Sequence, residues 1–271
     1  MNRDGYVVRW NLGSGAMRLV ALVVVLGLVG IAGATGSCGS NDEGLIRVYA
    51  ASSLSEAFLE AADSYEALSK DSGVSITFGS SATLATQVAE GAPASIFASA
   101  NEEQMLRVVA AGRIDTYSPL ATNSLVIASA SSRALTFKDL AEPGVRLVIG
   151  AKDVPIGAYA REAITKAGLS GAYGPRFADR VLANVRSEEA NAGAVVAKLQ
   201  LGEADAAIVY ATDTLNRPEI TSIAIDPRFN VTALYLVGLI RGSGGEARQF
   251  LDFLLGPEGQ AILAKHGFGR P

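Results

Sequence analysis

The sequence contains only one cysteine and one histidine among its 271 residues. The single cysteine, Cys38, excludes a disulfide bond within the chain. The single histidine, His266, lies in a terminal segment, and the single cysteine follows the N-terminal apolar run. A Ser-His-Asp triad, a Cys-His pair or a multi-histidine metal site is therefore hard to assemble, although a site made of carboxylates alone stays open. The chain also lacks a Gly-x-Ser-x-Gly nucleophile elbow and a Walker phosphate loop. These absences predict a protein that is not an enzyme and needs no cofactor.

Positive charge is also scarce. The chain has 23 Lys and Arg residues against 27 Asp and Glu residues, a formal net charge of −4. There is no basic stripe of the kind that nucleic-acid-binding proteins use, so we expect no nucleic-acid partner. Any anionic ligand must then be held by local geometry, against the overall field of the protein.

Long apolar runs are confined to residues 19–31, which follow Arg18. These thirteen residues are too few to span a bilayer and are typical of the apolar core of a signal peptide. Small residues lead into Cys38, as in the lipobox of bacterial lipoproteins. We therefore expect residues 1–37 to be a lipoprotein signal peptide, Cys38 to carry the lipid, and residues 38–44 to be a polar tether.

The alternative is a plain secreted protein with an unmodified cysteine. Met17, directly before Arg18, is a second candidate start of the signal peptide. Removal of residues 1–37 takes away three arginines and one aspartate and leaves a formal charge of −6. Whether or not Cys38 carries a lipid, the sequence predicts an exported protein. With the lipid, we expect the protein to be anchored to the outer face of the membrane.

From residue 45 onward, strand-like and helix-like runs alternate. The predicted strands are 47–50, 74–78, 95–98, 125–128, 146–150, 206–210 and 232–240. The predicted helices are 54–70, 83–90, 101–111, 155–167, 190–201, 245–255 and 257–266. Such alternation favours an α/β fold whose parallel sheets are covered by helices.

Two serine-bearing turns, around Ser53 and Ser81, each follow a predicted strand and precede a predicted helix. The start of a helix carries unpaired N–H groups and a partial positive charge, and serine hydroxyls add neutral donors. Two such turns facing each other would bind a small anion without Lys or Arg. Each turn alone is equally typical of an ordinary helix cap, and residues 53–56 fit the capping-box pattern.

Seven ordered stretches together resemble the molybdate-binding proteins of bacterial ABC importers. They lie at residues 48–54, 78–85, 87–100, 123–126, 154–160, 207–213 and 253–260. With residues 267–268 they cover roughly residues 45 to 271 in order. One departure is Ser95, where an aspartate is usual in that family.

This resemblance implies a type II periplasmic-binding-protein fold, with the ligand in a cleft between two α/β lobes. Lobe 1 would comprise residues 45–122 and 232–271, and lobe 2 residues 123–231. The implied oxyanion-binding residues are Ser53, Ser81 and Tyr210 through their hydroxyls, and Ile156 and Val185 through backbone N–H groups. It also implies a monomeric partner of a transporter's permease and ATPase subunits.

Molybdate and tungstate are tetrahedral dianions with four acceptor oxygens and no proton. A cage made only of N–H and O–H donors satisfies them, and it holds molybdenum only as the oxyanion, with no direct protein ligand. Hydrogen phosphate carries a proton and needs an acceptor, which such a cage supplies only if a hydroxyl rotates.

Other ligands of the same fold stay open at this point, namely sulfate, phosphate or an organic acid. Arg161, Arg180 and Arg186 are candidates for binding a carboxylate or phosphate, although each is also typical of solvated surface. A solute-sensing lipoprotein without a transporter is a further alternative.

Overall fold

In a computed structural model of the chain, residues 44–69, 72–130 and 134–271 are described. The predicted signal peptide, Cys38 and all of the tether except Gly44 lie outside the described residues. Within those ranges, no helix has the length and apolar character needed to cross a membrane.

The strands are β1 (Leu45–Ala51), β2 (Gly73–Gly79), β3 (Ile96–Ser99), β4 (Tyr117–Asn123), β5 (Leu125–Ser129), β6 (Leu147–Gly150), β7 (Val185–Glu189), β8 (Ala206–Tyr210), β9 (Thr221–Ala224) and β10 (Ala233–Leu239). The helices are α1 (Ser55–Leu68), α2 (Ser81–Ala89), α3 (Glu102–Ala110), α4 (Pro155–Leu169), α5 (Phe177–Ala183), α6 (Ala192–Gln200), α7 (Gly245–Leu255) and α8 (Pro257–Lys265). The predicted strands and helices are all present, with ends that differ by a few residues.

The strands form two sheets. The first has the order β2-β1-β3-β10-β4, and the second has the order β7-β6-β8-β5-β9. Helices cover both, and their apolar faces form the core; α1, for example, buries Phe58 and Tyr65 completely or nearly so. This is the α/β architecture that the sequence predicts.

The prediction of parallel sheets is right for part of each sheet only, because each sheet is mixed. In the first sheet β1 runs parallel to β2 and β3, whereas β10 is antiparallel to β3 and β4. In the second, β6 is parallel to β7 and β8, whereas β5 is antiparallel to β8 and β9. The antiparallel strands β5 and β10 are entered directly from the other sheet. A strand becomes parallel to its neighbour when a crossover connection, usually a helix, returns the chain to the same end of the sheet. The connections that lead into β5 and β10 contain no such helix, so these strands are antiparallel to their neighbours.

The chain passes between the sheets at two places. Ser124 alone separates β4 from β5, and residues 225–232 connect β9 to β10. The carboxyl ends of β1 and β2 in one sheet, and of β6 and β8 in the other, lead to the residues that meet between the sheets. Ligands of open α/β sheets bind at this end of the strands.

Candidate ligand-binding site

A small cavity lies between the two sheets. It is lined from the first sheet by Ala51, Ser52, Ser53, Gly79, Ser80, Ser81 and Ala100, and from the second by Val154, Pro155, Ile156, Asn191, Ala192 and Tyr210. Its volume of ≈ 20 Å³ suits a compact ion and not an extended solute. None of these lining residues is charged.

The wall from the first sheet consists of two strand-to-helix turns. After β1 ends at Ala51, Ser52–Leu54 form a 3-10 turn that runs directly into α1. After β2 ends, the Ser80 hydroxyl accepts a hydrogen bond from the Ala82 N–H at 3.3 Å and caps α2, which begins at Ser81. Both predicted serine turns therefore place the start of a helix at the cavity.

On the side of the second sheet, α4 begins at Pro155. Because proline has no backbone N–H, the first N–H of this helix that can reach the cavity is that of Ile156. Two glycines let this helix start close to the end of β6. A Cβ atom on Gly157 would lie 1.9 Å from the Ala151 carbonyl oxygen, and one on Gly150 would lie 2.7 Å from the Gly157 nitrogen. Side chains at either position would push the start of α4 away.

The start of α6 completes the wall from the second sheet. The Asn191 side chain accepts a hydrogen bond from the Ala194 N–H at 2.9 Å and caps the helix, which begins at Ala192. The N-terminal ends of four helices therefore lie at the cavity. They are those of α2, α4 and α6, and that of α1 with the 3-10 turn that precedes it. The first N–H groups of each helix have no partner within the helix, and its dipole is positive at this end, so the arrangement attracts an anion.

Tyr210, the last residue of β8, adds a hydroxyl to the cavity. Its side chain is 1% exposed, and its hydroxyl has no hydrogen-bond partner within the described part of the chain. Burial raises the pKa of Tyr210 well above its ordinary value, so the hydroxyl keeps its proton. A buried hydroxyl without a partner is costly, and an anion in the cavity would satisfy it.

The two serine hydroxyls have partners within the protein. Ser53 Oγ lies 2.8 Å from the hydroxyl oxygen of Tyr235, and Ser81 Oγ accepts a hydrogen bond from the Ala100 N–H at 3.0 Å. Tyr235 is itself buried on β10, with its ring 5.8 Å from that of Tyr210. These contacts hold the serine side chains at the cavity wall.

Asp213 contacts the backbone of Tyr210. Its carboxylate accepts the Tyr210 backbone N–H at 3.0 Å in the 3-10 turn Ala211–Thr214. Burial raises the pKa of Asp213 to about 7. Asp213 is not among the site residues predicted from the sequence, although an aspartate three residues after a strand end is a recognisable capping signal.

Of the five residues implied for the ligand, the structure brings Ser53, Ser81, Ile156 and Tyr210 together at the cavity. It does not place Val185 there. Val185 is the first residue of β7 and pairs with Leu147, the first residue of β6, so it lies at the amino end of these parallel strands. The cavity is at their carboxyl end.

Ala192, the first residue of α6, lines the cavity instead. The resemblance implies Val185 only through a match of Val-Arg, and the local pattern does not indicate the short, partly exposed strand β7 on which Val185 lies. Asn191, a strong helix-capping residue at the start of the predicted helix 190–201, was the available signal.

The three arginines considered for a larger anion are absent from the cavity lining. Arg161 donates to the Gly150 carbonyl oxygen at 2.9 Å and pairs with Glu188 at 2.7 Å. Arg180 donates to the Pro175 carbonyl oxygen at 2.5 Å, and Arg186 is exposed on β7. Within the described ranges, no group of three or more His, Cys, Asp or Glu residues could hold a metal ion directly.

Fold and site together define a two-lobed solute-binding architecture, with the solute enclosed between two α/β units. The model of a family described as bacterial extracellular solute-binding protein matches residues 46–269, and the chain belongs to this family. Proteins of this kind act in transport, and the relatives below are not enzymes.

Among similar proteins, the molybdate-binding protein ModA of Mycobacterium tuberculosis is 31% identical over 233 residues, which covers 83% of this chain and 85% of that protein. The molybdate-binding protein ModA of Escherichia coli is 32% identical over 244 residues, covering 84% and 90%. The periplasmic molybdate-binding protein of Azotobacter vinelandii has a similar structure, with a TM-score of 0.73, 21% identity and coverage of 83% and 99%.

Proposed function

We propose that this protein captures molybdate, and with it tungstate, as the extracytoplasmic binding component of an ABC importer. The observation that carries the proposal is a small cavity that receives four helix N-termini and the unpartnered Tyr210 hydroxyl, with no charged residue in its lining. Its proposed ligand-binding groups are the hydroxyls of Ser53, Ser81 and Tyr210 and the N–H groups of Ile156 and Ala192.

The chemistry of the cavity favours a fully deprotonated oxyanion. Its proposed groups are hydrogen-bond donors, and molybdate offers four acceptor oxygens and no proton of its own. The names of the similar ModA proteins support molybdate over other oxyanions of the same shape. A carboxylate ligand would favour a guanidinium partner, and Arg161, Arg180 and Arg186 lie elsewhere.

Delivery to a transporter requires a change of shape on binding. We place the boundary between lobe 1 and lobe 2 near residues 122–123 and 231–232, where the chain changes sheet. Besides the ring contact of Tyr210 with Tyr235, two polar contacts join the lobes beside the cavity. The Tyr159 hydroxyl donates to the Ala100 carbonyl oxygen at 3.2 Å, and Arg217 pairs with Glu56 at 3.1 Å. An anion that contacts both lobes favours the form in which they are closed, and a permease with its ATPase would recognise that form.

Export and anchoring complete the proposal. We infer a signal peptide over residues 1–37 and a lipid on Cys38, which would hold a monomeric protein at the outer face of the membrane close to the permease. The support is the apolar run followed by small residues and the lone cysteine.

The test is thermal unfolding of the purified protein with molybdate, tungstate, sulfate or phosphate. A ligand at 100 times its dissociation constant adds about 2.7 kcal/mol to the free energy of unfolding, which gives a clear rise in midpoint. We expect molybdate and tungstate to stabilise the protein and the other two anions to have little effect. Stabilisation by sulfate or phosphate instead, or by none of the four, would contradict the proposed ligand.

A further inference from the structure

The two stretches of chain that cross between the sheets lie side by side. On the side of the first sheet they are held by strand pairing, since β4 and β10 run antiparallel up to the pair of Asn123 and Ala233. On the side of the second sheet, one crossing enters β5 at Leu125, and the other belongs to the connection that follows β9. Whatever joins Leu125 to this connection decides whether the two crossings move together.

The side chain of Asn230 makes that joint. Its Oδ1 accepts the Leu125 N–H at 3.1 Å, and its Nδ2 donates to the Leu125 carbonyl oxygen at 3.0 Å. One amide thus pairs both backbone groups of Leu125, as a neighbouring strand would. Oδ1 also accepts the Val231 N–H at 2.8 Å, so two donors and one acceptor fix the orientation of the amide. We call these three hydrogen bonds the Asn230 clamp.

Asn230 is itself fixed to lobe 2. Its backbone N–H donates to the Asp226 carbonyl oxygen at 3.0 Å, which closes a turn. The preceding residue, Phe229, is 3% exposed, and its ring lies 5.6 Å from that of Tyr173 between centroids. The Asn230 clamp therefore holds both crossings to the same lobe.

Leu125 also brings the Asn230 clamp close to the ligand cavity. It pairs with Tyr210 in the antiparallel register of β5 and β8, and Tyr210 lines the cavity. The pairing of β9 with β5 begins at Val126, so Asn230 takes the place of a strand beside Leu125. The clamp therefore fixes one crossing directly next to a proposed ligand-binding residue.

Between the Asn230 clamp and the paired strands of lobe 1, little chain is left to bend. It consists of Ser124 in one crossing and of Val231 and Thr232 in the other. Ser124 and Thr232 are exposed, so their backbone can rotate without opening the core. Hinges are a few residues of this kind that take up the change in φ and ψ. Two short segments that are fixed side by side at both ends allow one rotation of the lobes and hinder others.

We propose that Asn230 is the positioning residue of the hinge, which holds the two crossings together so that the lobes close along one path onto the bound anion. The inference rests on the proposed function and deepens it. The clamp restricts the relative orientations of the lobes in the open form, so less conformational entropy is lost when they close. Asn230 thus promotes the capture of the anion although it does not line the cavity.

The experiment measures the distance between the lobes in the full chain. Spin labels are placed on two exposed positions, Asp63→Cys in α1 and Asp179→Cys in α5, with Cys38→Ser because Cys38 is the only native cysteine. Pulsed electron spin resonance gives the distribution of distances with and without molybdate. We expect Asn230→Ala to widen the distribution of the ligand-free protein, whereas the molybdate-bound variant keeps the width of the parent. An unchanged width without molybdate would overturn the inference.

Asn184→Ala is the matched control. The Asn184 side chain donates to the carbonyl oxygens of Leu140 and Glu142 at 2.8 and 2.7 Å, and none of these residues belongs to a crossing. Its loss should lower the thermal midpoint, as the loss of Asn230 does, and leave the distribution of distances unchanged. Equal widening in Asn184→Ala and Asn230→Ala would show a merely structural role and overturn the inference.

Binding kinetics supply a second measurement. We expect the dissociation constant of molybdate to rise about threefold in Asn230→Ala, mainly through slower association, because the closed form keeps its contacts with the anion. Asn184→Ala should bind molybdate as the parent does. A loss of affinity that lies entirely in the dissociation rate would contradict the proposed role of Asn230.

Asn230→Asp serves if Asn230→Ala does not fold. The ionised carboxylate keeps the volume and the accepting oxygen but cannot donate to Leu125, so the ligand-free distribution should again widen; an unchanged width would overturn the inference. A parent protein that does not bind molybdate would overturn the proposed function. The width without ligand still tests the hinge in that case, so the two failures are distinguishable.

Discussion

Tyr210 and the cavity serines combine burial with hydrogen-bonding groups that need partners. Tyr210 has no partner for its hydroxyl in the described chain, whereas Ser53 and Ser81 are held by Tyr235 and Ala100. Buried donors of this kind are stabilised when an acceptor enters. The cavity is therefore organised before the ligand arrives, and little side-chain entropy is lost on binding.

Removal of either serine hydroxyl tests this organisation. Ser53→Ala and Ser81→Ala each remove one donor from an anion that stays buried, so we expect molybdate affinity to fall about tenfold to a hundredfold. Titration calorimetry measures the loss. The thermal midpoint without ligand should also fall, because the Ala100 N–H or the Tyr235 hydroxyl loses its buried partner. If both variants bind as tightly as the parent, these serines do not hold the anion.

Asp213 predicts a pH dependence of stability. Its pKa is raised by burial to about 7, whereas an unfolded chain has a value of about 3.9. Between these values the folded protein binds a proton that the unfolded chain has released. The stabilisation is thus present at low pH and is lost as the pH rises through about 7.

Asp213→Asn removes this titration while its side-chain oxygen can still accept the Tyr210 N–H. We expect the variant to gain stability relative to the parent as the pH rises from about 5 to about 8. Thermal midpoints of both proteins across this range measure the effect. A constant difference between the two would mean that Asp213 does not titrate there.

At the scale of elements, the site is made of helix starts, and the close contact of α4 with the end of β6 is the most constrained of them. A methyl group on Gly157 would fall 1.9 Å from the Ala151 carbonyl oxygen. Neither atom can move without shifting the backbone that carries the Ile156 N–H.

Gly157→Ala should therefore lower the free energy of unfolding by about 1–3 kcal/mol and weaken molybdate binding as well. Gly245→Ala is the control, because Gly245 begins α7 and a methyl group there meets nothing within 4 Å. Denaturant unfolding and calorimetry report the two effects. Normal binding by Gly157→Ala would show that the start of α4 does not contact the ligand.

The sequence predicted most elements but not all. Strong apolar patterns identified the buried strands, such as β8, and the long helices, such as α1. It missed β4, β7 and β9, which are partly exposed edge strands with polar residues, and the seven-residue helix α5. Edge strands are held by pairing with a neighbour that is distant in sequence, so local pattern says little about them. Val185, which the resemblance implied as a ligand-binding residue, is the first residue of this missed strand β7.

At the scale of the whole molecule, the lobes are held together by contacts beside the ligand cavity. The ion pair between Arg217 and Glu56 joins the lobes and is partly exposed, so its contribution is small and depends on salt. Such a pair stabilises the closed form alone, and therefore acts on the release of ligand more than on its capture.

Glu56→Gln should raise the rate at which bound molybdate dissociates by about two- to fivefold. Glu162→Gln removes an ion pair of similar exposure within α4 and serves as the control. Exchange of labelled molybdate measures both rates at low and high salt. The difference between Glu56→Gln and the parent should shrink at high salt, and equal rates at low salt would exclude a role of this pair in closure.

The anchor is tested on the whole chain in its native membrane context. Cys38→Ser removes the sulfur that would carry the lipid, so we expect the protein to move from the membrane fraction to the soluble fraction. Cell fractionation measures the change. Retention in the membrane fraction by the variant would count against lipidation.

The sequence by itself determined the α/β alternation, the scarcity of cysteine and histidine, and the serine turns that begin two helices. These follow from composition and from local patterns along the chain. Only the tertiary structure decided which helix starts meet, that Ala192 and not Val185 lies at the cavity, and that Tyr235 reaches Ser53 from 182 residues away. The reason is that strand order and direction, which bring distant turns together, depend on pairing between segments that no local pattern records.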